Sequence, residues 1–201
     1  ASAVTLQPIT RYGFDAEIIF SDILMIPWAM NRNVRFKTGI GPLLDAMEEP
    51  GDIDSSCLDG LSEKLAPVGQ ALTLTRAALP AETTLIGFAG APWTLITYMA
   101  EGGTSREFLK ARQWAWQSRQ ALNGLLDILI DATISFLSLQ AQSGAQTLML
   151  FDSWASAVPA AQRDWLVTKP ARAIVEGVRK NGHNQPIIGF PKGIGEGLIR
   201  Y

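Results

Sequence analysis

The chain has 201 residues, 47% of them hydrophobic and 18% charged, which suits one large domain or a small pair and excludes a generally disordered segment. A net charge of −2 excludes an overall nucleic-acid footprint, though it leaves room for local basic pockets. Cys57 is the single cysteine and His183 the single histidine, so no internal disulfide forms, a reducing compartment fits, and the two fall short of the usual Cys/His zinc set.

The chain opens on an amphipathic stretch, Ala3 to Tyr12, with Val4, Leu6 and Ile9 apolar and Pro8 interrupting. It reads as a helix tail, closed by the turn at Gly13-Phe14-Asp15. A strand is expected over Glu17 to Phe20, inside the run Ile18-Ile19-Phe20-Ser21-Asp22-Ile23-Leu24. A buried parallel strand has this continuous apolar character. An ionised aspartate inside one is costly unless something bonds or binds it. Either Asp22 stands where the strand ends and a cavity begins, or the run is not a strand.

Periodicity dissolves over residues 31–67, where Asn, Gly, Pro and acidic residues cluster and Val34-Arg35-Phe36 suggests a short hairpin arm. This length without a pattern is a functional excursion from a sheet or barrel, or else a disordered linker. Leu61 to Leu79 then reads as a helix with Leu65, Val68, Ala71 and Leu72 on one face.

Thr84 to Ala89 is the next strand, running into Gly90-Ala91-Pro92-Trp93-Thr94-Leu95. Small residues at a strand end let a ligand approach the backbone, and Pro92 suits the first turn of a helix broken at Gly102-Gly103. Thr104 with Glu107 fits a capping box for a helix through Phe108 to about Trp116. A longer helix follows with Leu122, Leu125, Leu126, Leu129 and Ile130 on one face, stopped at Gly144. Its apolar core, 125–139, is interrupted by Asp127 and Asp131 and reads as too short and too charged to cross a bilayer. Those two acids, four apart, form a solvated outer face in preference to a metal site. Thr147 to Phe151 is a third strand ending at Asp152-Ser153-Trp154; Arg163 to Lys180 is a helix; Pro186 to Phe190 is a fourth strand.

Strands alternating with helices predict an α/β protein with parallel strands and right-handed crossovers. Ligands then meet the C-terminal strand ends. Asp22, the Gly90–Trp93 turn, Asp152-Ser153 and Lys192 with its glycines all fall there. Lys192-Gly193-Ile194-Gly195-Glu196-Gly197 is no Walker loop, because the lysine precedes the glycines and no Ser or Thr follows for magnesium. His183, among Asn181, Gly182 and Asn184, reads as an exposed turn residue, and Asp152-Ser153 has no histidine to complete a triad. No signal peptide is evident. The chain begins with Ala1 and ends at Tyr201 in what reads as a continuing helix, so a piece of a longer protein is expected.

Phe20-Ser21-Asp22-Ile23-Leu24-Met25-Ile26-Pro27 resembles the signature strand of the uroporphyrinogen decarboxylase family. So do Gly87-Phe88-Ala89-Gly90-Ala91-Pro92-Trp93-Thr94-Leu95 with Tyr98 to Gly103, Leu150 to Trp154, and Val4 to Pro8. These matches keep their order over nearly the whole chain. The resemblance implies a (β/α)8 TIM barrel, of which about four parallel βα units are present as one incomplete domain over 1–201, with 31–67 an irregular excursion. It implies removal of carboxyl groups from the four acetate side chains of uroporphyrinogen to give coproporphyrinogen, in the cytoplasm, without metal or organic cofactor, and without nucleic-acid or membrane partners.

By motif, Asp22 would accept hydrogen bonds from the pyrrole N–H groups and stabilise the cationic intermediate. Tyr98 and Ser153 would contact polar groups of the substrate, and Ile18 and Phe151 would pack near the ring. The family's paired arginines would precede Ala1 and its substrate-contacting histidine would follow Tyr201, a role His183 does not match. The chain is therefore expected to be inactive alone, and the complete enzyme to be a homodimer. A zinc-dependent corrinoid/thiol methyltransferase of the same superfamily, and a half-barrel that binds a tetrapyrrole without turnover, are the alternatives.

Overall fold

A computed structural model describes residues 1–39 and 41–201. In chain order the elements are α1 (Ser2–Tyr12), β1 (Ala16–Ile18), α2 (Met25–Ala29), β2 (Arg35–Lys37), β3 (Gly41–Leu43), α3 (Leu61–Ala78), β4 (Thr84–Gly90), α4 (Pro92–Glu101), α5 (Leu109–Gln117), α6 (Arg119–Gln142), β5 (Thr147–Asp152), α7 (Lys169–Lys180) and β6 (Ile187–Pro191). Strands β1, β4, β5 and β6 form one sheet in that order, and each neighbouring pair is parallel. The architecture is α/β and partial TIM-barrel-like.

Register separates the sheet into two faces, since paired residues of parallel strands point the same way. Leu85, Leu148 and Leu150 point to one face and are buried beneath α3 and α6, and α7 packs against α6 in turn. Ile18, Ile86, Phe88, Met149 and Phe151 point to the other, where the rings of Phe88, Phe151 and Phe190 meet edge-on in sequence at 5.5 and 5.7 Å. That inner face is only partly covered, and Phe190 is 43% exposed.

α6 supplies the main helical wall. Leu122, Leu125, Leu129, Phe136 and Leu137 are buried, and Asp127 and Asp131 are exposed on the opposite face, as the periodicity requires. Contrary to the sequence expectation, the helix is long and apolar enough to cross a membrane by length and composition, because helical backbone continues beyond 125–139 on both sides. Half of its most apolar window is buried within the protein.

Four local expectations differ from the fold. β1 stops at Ile18: Ile19 N–H still donates to Ile86 C=O at 3.0 Å, but Phe20 N–H turns to the Thr5 hydroxyl at 3.0 Å. The α5 terminus is capped by Ser105, whose hydroxyl accepts from Phe108 N–H, and by Glu101, whose carboxylate accepts from Lys110 and Ala111 N–H. Thr104 and Glu107 therefore do not form the expected box; Phe108, at φ 50°, breaks the backbone course that box needs. The helix expected from Arg163 begins as a π-turn, Asp164–Thr168, because Pro170 has no N–H to offer an α ladder there. The last stretch, Gly195–Arg200, is a 3₁₀ turn in place of the expected continuing helix.

Within the irregular stretch, β2 and β3 pair as an antiparallel hairpin, and Ile40 lies outside the described residues.

Candidate functional site

Where β1 turns away, the next groups on β4 lose their strand partner. Ile86 C=O still serves β1, but two residues on, the N–H and C=O of Phe88 face the same seam. Buried backbone groups need partners. The side-chain amide of Gln140, on α6, supplies both: Phe88 N–H donates to its Oε1 and its Nε2 donates to Phe88 C=O, each at 2.8 Å. A Cβ on Gly87 would lie 2.7 Å from that Oε1, so the amide requires glycine at this point.

The diverging chain crosses the C-terminal end of β4. A Cβ on Gly90 would stand 3.0 Å from Ile23 C=O and 2.8 Å from Leu95 Cδ2. The small residue expected to admit a ligand thus admits the protein's own Asp22 loop. In that loop Asp22 Oδ1 accepts from Leu24 N–H at 2.7 Å, and its backbone C=O accepts from Met25 N–H at 3.3 Å. The carboxylate is half-buried and makes no ion pair among the described residues. Burial raises its pKa above the ordinary aspartate value, and the Leu24 N–H opposes part of that rise.

Behind this loop, α4 is pinned to the end of β5. Ala91 N–H donates to Phe151 C=O at 2.8 Å, after which Pro92 starts the helix. Thr94 donates its hydroxyl to Asp152 Oδ1 at 2.7 Å and accepts from Trp154 N–H at 3.3 Å, while Trp93 Nε1 donates to Trp154 C=O at 3.1 Å. Asp152 is 1% exposed, and burial pushes its pKa up to about 7 against the Thr94 hydrogen bond. Its backbone C=O accepts from Lys192 N–H at 3.0 Å, which ties in the end of β6.

Two cavities meet at Ile19-Phe20-Ser21. One, of about 480 Å³, is walled by Ile18, Phe88, Phe151 and Ser153, with Thr5 and Pro8 of α1. The other, of about 520 Å³, takes Asp22 with Met25, Phe36, Val68 and Ala71. Ile18, Phe151 and Ser153 therefore share one cavity and Asp22 borders the next across Phe20. Tyr98 borders neither; it is 5% exposed on α4, its ring tilted toward Trp154 at 6.5 Å between centroids. Burial raises the Tyr98 phenol pKa, the Trp154 side chain lowers it, and the Asp22 charge raises it.

His183 lies in the turn before β6, at the far end of the sheet, beside Gln142. The Lys192 side chain is exposed. Among the described residues no three His, Cys, Asp or Glu side chains gather as a metal-binding group. Thr94, Trp154 and Gln140 escaped sequence reasoning as site-building residues. Each acts on a partner at least 52 residues away, except for the Trp154–Asp152 turn itself, and no local pattern announces such a contact.

The family model described as "Uroporphyrinogen decarboxylase (URO-D)" matches residues 1–201. A protein named "Uroporphyrinogen decarboxylase" from Maricaulis maris is 46% identical over 201 residues, covering 100% of this chain and 58% of that protein. One of the same name from Rhodospirillum rubrum is 42% identical over 195 residues, covering 97% and 56%. The chain thus spans a little over half the length of these relatives. A solved "methyltransferase from Methanosarcina mazei" superposes with a TM-score of 0.73 at 14% identity, over 94% of this chain and 54% of that one, a likeness of fold. With a family match over every residue and a parallel α/β sheet whose strand ends carry the matched motifs, the chain belongs to the uroporphyrinogen decarboxylase family.

Proposed function

We propose that this chain supplies the Asp22-bearing part of a cofactor-independent carboxy-lyase that converts uroporphyrinogen to coproporphyrinogen. The observation that carries the reading is the Asp22 carboxylate: half-buried, without an ion pair among the described residues, and set at the C-terminal strand ends beside an aromatic-walled cavity. Burial makes that negative charge unfavourable, and a ligand that brings N–H donors and positive charge would relieve it.

A pyrrole macrocycle brings both. Its N–H groups donate to Asp22. Protonation of a pyrrole carbon makes the ring an electron sink, and the acetate C–C bond breaks as CO₂ leaves and its electron pair enters the ring. A proton then adds to the exocyclic carbon and the ring proton departs, so that one proton replaces each CO₂. Asp22 stabilises the cationic intermediate electrostatically; two unit charges about 4 Å apart interact by about 4 kcal/mol at an effective dielectric near 20. Ile18 and Phe151 give the ring an apolar wall and Ser153 offers a hydroxyl to its carboxylates; Tyr98, buried outside both cavities, adds a second hydroxyl once the bound ligand draws it toward the Asp22 side. In this reading residues 1–201 are one domain, 31–67 is an excursion from it, the protein is cytoplasmic, and the complete enzyme is a homodimer whose barrel closes with strands from outside this chain.

The test is reconstitution. The 201-residue chain is incubated with uroporphyrinogen, alone and with the remaining βα units of the barrel added as a second polypeptide, and coproporphyrinogen is measured by chromatography. Product only in the mixture is expected. No product from a barrel shown to have assembled overturns the activity; product from the chain alone overturns the need for the remaining strands.

A further inference from the structure

Among the described residues the Trp154 indole Nε1 is buried and closes no well-formed hydrogen bond, although it stands near enough to the Tyr98 phenol for a hydrogen bond between them to lower that phenol's pKa. Buried donors are rarely left so, and such an atom marks where a partner should arrive. The ring has little freedom to seek water. Its backbone is held on both sides, N–H by Thr94 and C=O by Trp93, and the Phe108 ring lies against it at 4.9 Å. The Tyr98 ring is its other aromatic neighbour, tilted at 54°. An indole N–H only donates, whereas a phenol both donates and accepts.

We propose that Trp154 is a positioning residue for Tyr98: its N–H takes the phenol oxygen as acceptor when the cleft is occupied, and so commits the phenol proton to the Asp22 side, toward a carboxylate of an acidic ligand. This rests on the decarboxylase reading for the nature of that ligand, but the pairing itself does not. The opposed influences on the Tyr98 phenol, lowered by Trp154 and raised by Asp22, agree with this arrangement. Thr94 and Tyr98 are one helical turn apart on α4, so the helix that clamps the Trp154 backbone also carries the acceptor for its side chain.

The experiment uses the whole 201-residue chain with ¹⁵N-labelled tryptophan, whose six indole resonances are resolved by NMR and assigned for Trp154 by Trp154→Phe. Uroporphyrin, a stable octacarboxylate, serves as the probe ligand. In its presence Tyr98→Phe is expected to move the Trp154 indole proton upfield and speed its solvent exchange by up to about tenfold, with the other indoles in place as the check on folding. An unchanged Trp154 resonance and exchange rate overturns the pairing. In fluorescence titrations, Trp154→Phe and Tyr98→Phe should weaken uroporphyrin binding by similar factors, and the double variant no further; additive losses overturn the proposal. If the chain alone binds no uroporphyrin, both measurements are made on the barrel assembled with the remaining βα units: no binding there overturns the decarboxylase reading, and a Trp154 resonance untouched by Tyr98→Phe in that ligand-bound barrel overturns the pairing.

Discussion

Thr94 and Asp152 face each other across the junction of α4 and β5, the hydroxyl donating to the carboxylate at 2.7 Å in a site that water barely reaches. The same hydroxyl receives the Trp154 N–H, so one threonine links a buried acid to the turn that carries Ser153.

That burial gives a pH signature. Asp152 titrates near pH 7 when folded, against 3.8 for an unperturbed aspartate. Between those values the folded chain holds a proton that the unfolded chain has released, so stability falls as pH rises from about 4 to 7 and levels off above. Asp152→Asn keeps an oxygen for Thr94 and abolishes this contribution. Urea unfolding at pH 5 and pH 8 should show the variant gaining on the wild type at the higher pH, by a few kcal/mol at most.

The Gln140 bridge predicts a second cost. Gln140→Leu leaves the N–H and C=O of Phe88 without partners in a buried seam, and should destabilise the chain by about 2 to 4 kcal/mol in denaturant melts. Gly87→Ala pushes a methyl into the same amide and should cost about 1 to 3 kcal/mol. Because both act on one contact, the double variant should lose less than the sum of the two.

For Asp22 the prediction separates charge from shape. Asp22→Asn retains the oxygen that accepts from Leu24 N–H, so the melting midpoint should barely move. Turnover of uroporphyrinogen by the complete barrel should fall by about 100-fold or more, as when a single electrostatic contact to developing charge is removed. On the proposed role the ionised form is the working form; burial raises its pKa, so activity should fail on the acid side at a pH above the ordinary aspartate value.

Gly90→Ala tests the crossing of the Asp22 loop over β4. The new methyl meets Ile23 C=O and Leu95 at once, so the loop must shift by several tenths of an ångström. A cost of about 1 to 3 kcal/mol is expected in urea unfolding. The loss of turnover should be larger than that loss of stability implies, because the displaced segment is the one that aims Asp22.

Much of this was readable from the chain itself. The period-3.6 faces of α3 and α6, the apolar runs of β4 and β5 and the alternation of strand and helix reflect local burial demands, which a linear pattern records directly. The motif residues by themselves put Asp22, Gly90 and Ser153 at strand ends, and one acidic residue in an apolar run was enough to announce an unusual environment. Tertiary structure alone decided how those ends are built. That β1 stops at Ile18, that Gln140 replaces the missing strand at Phe88, that Gly90 is vacated for Ile23 and that Asp152 is clamped by Thr94 all depend on groups brought together from distant parts of the chain. Hydrogen-bond satisfaction is a property of a closed three-dimensional neighbourhood, and its partners leave no periodic trace in the sequence. Hence the fold class and the position of Asp22 were legible early, while the clamp behind the site, Thr94, Asp152 and Trp154, emerged only once β5 and α4 were packed side by side.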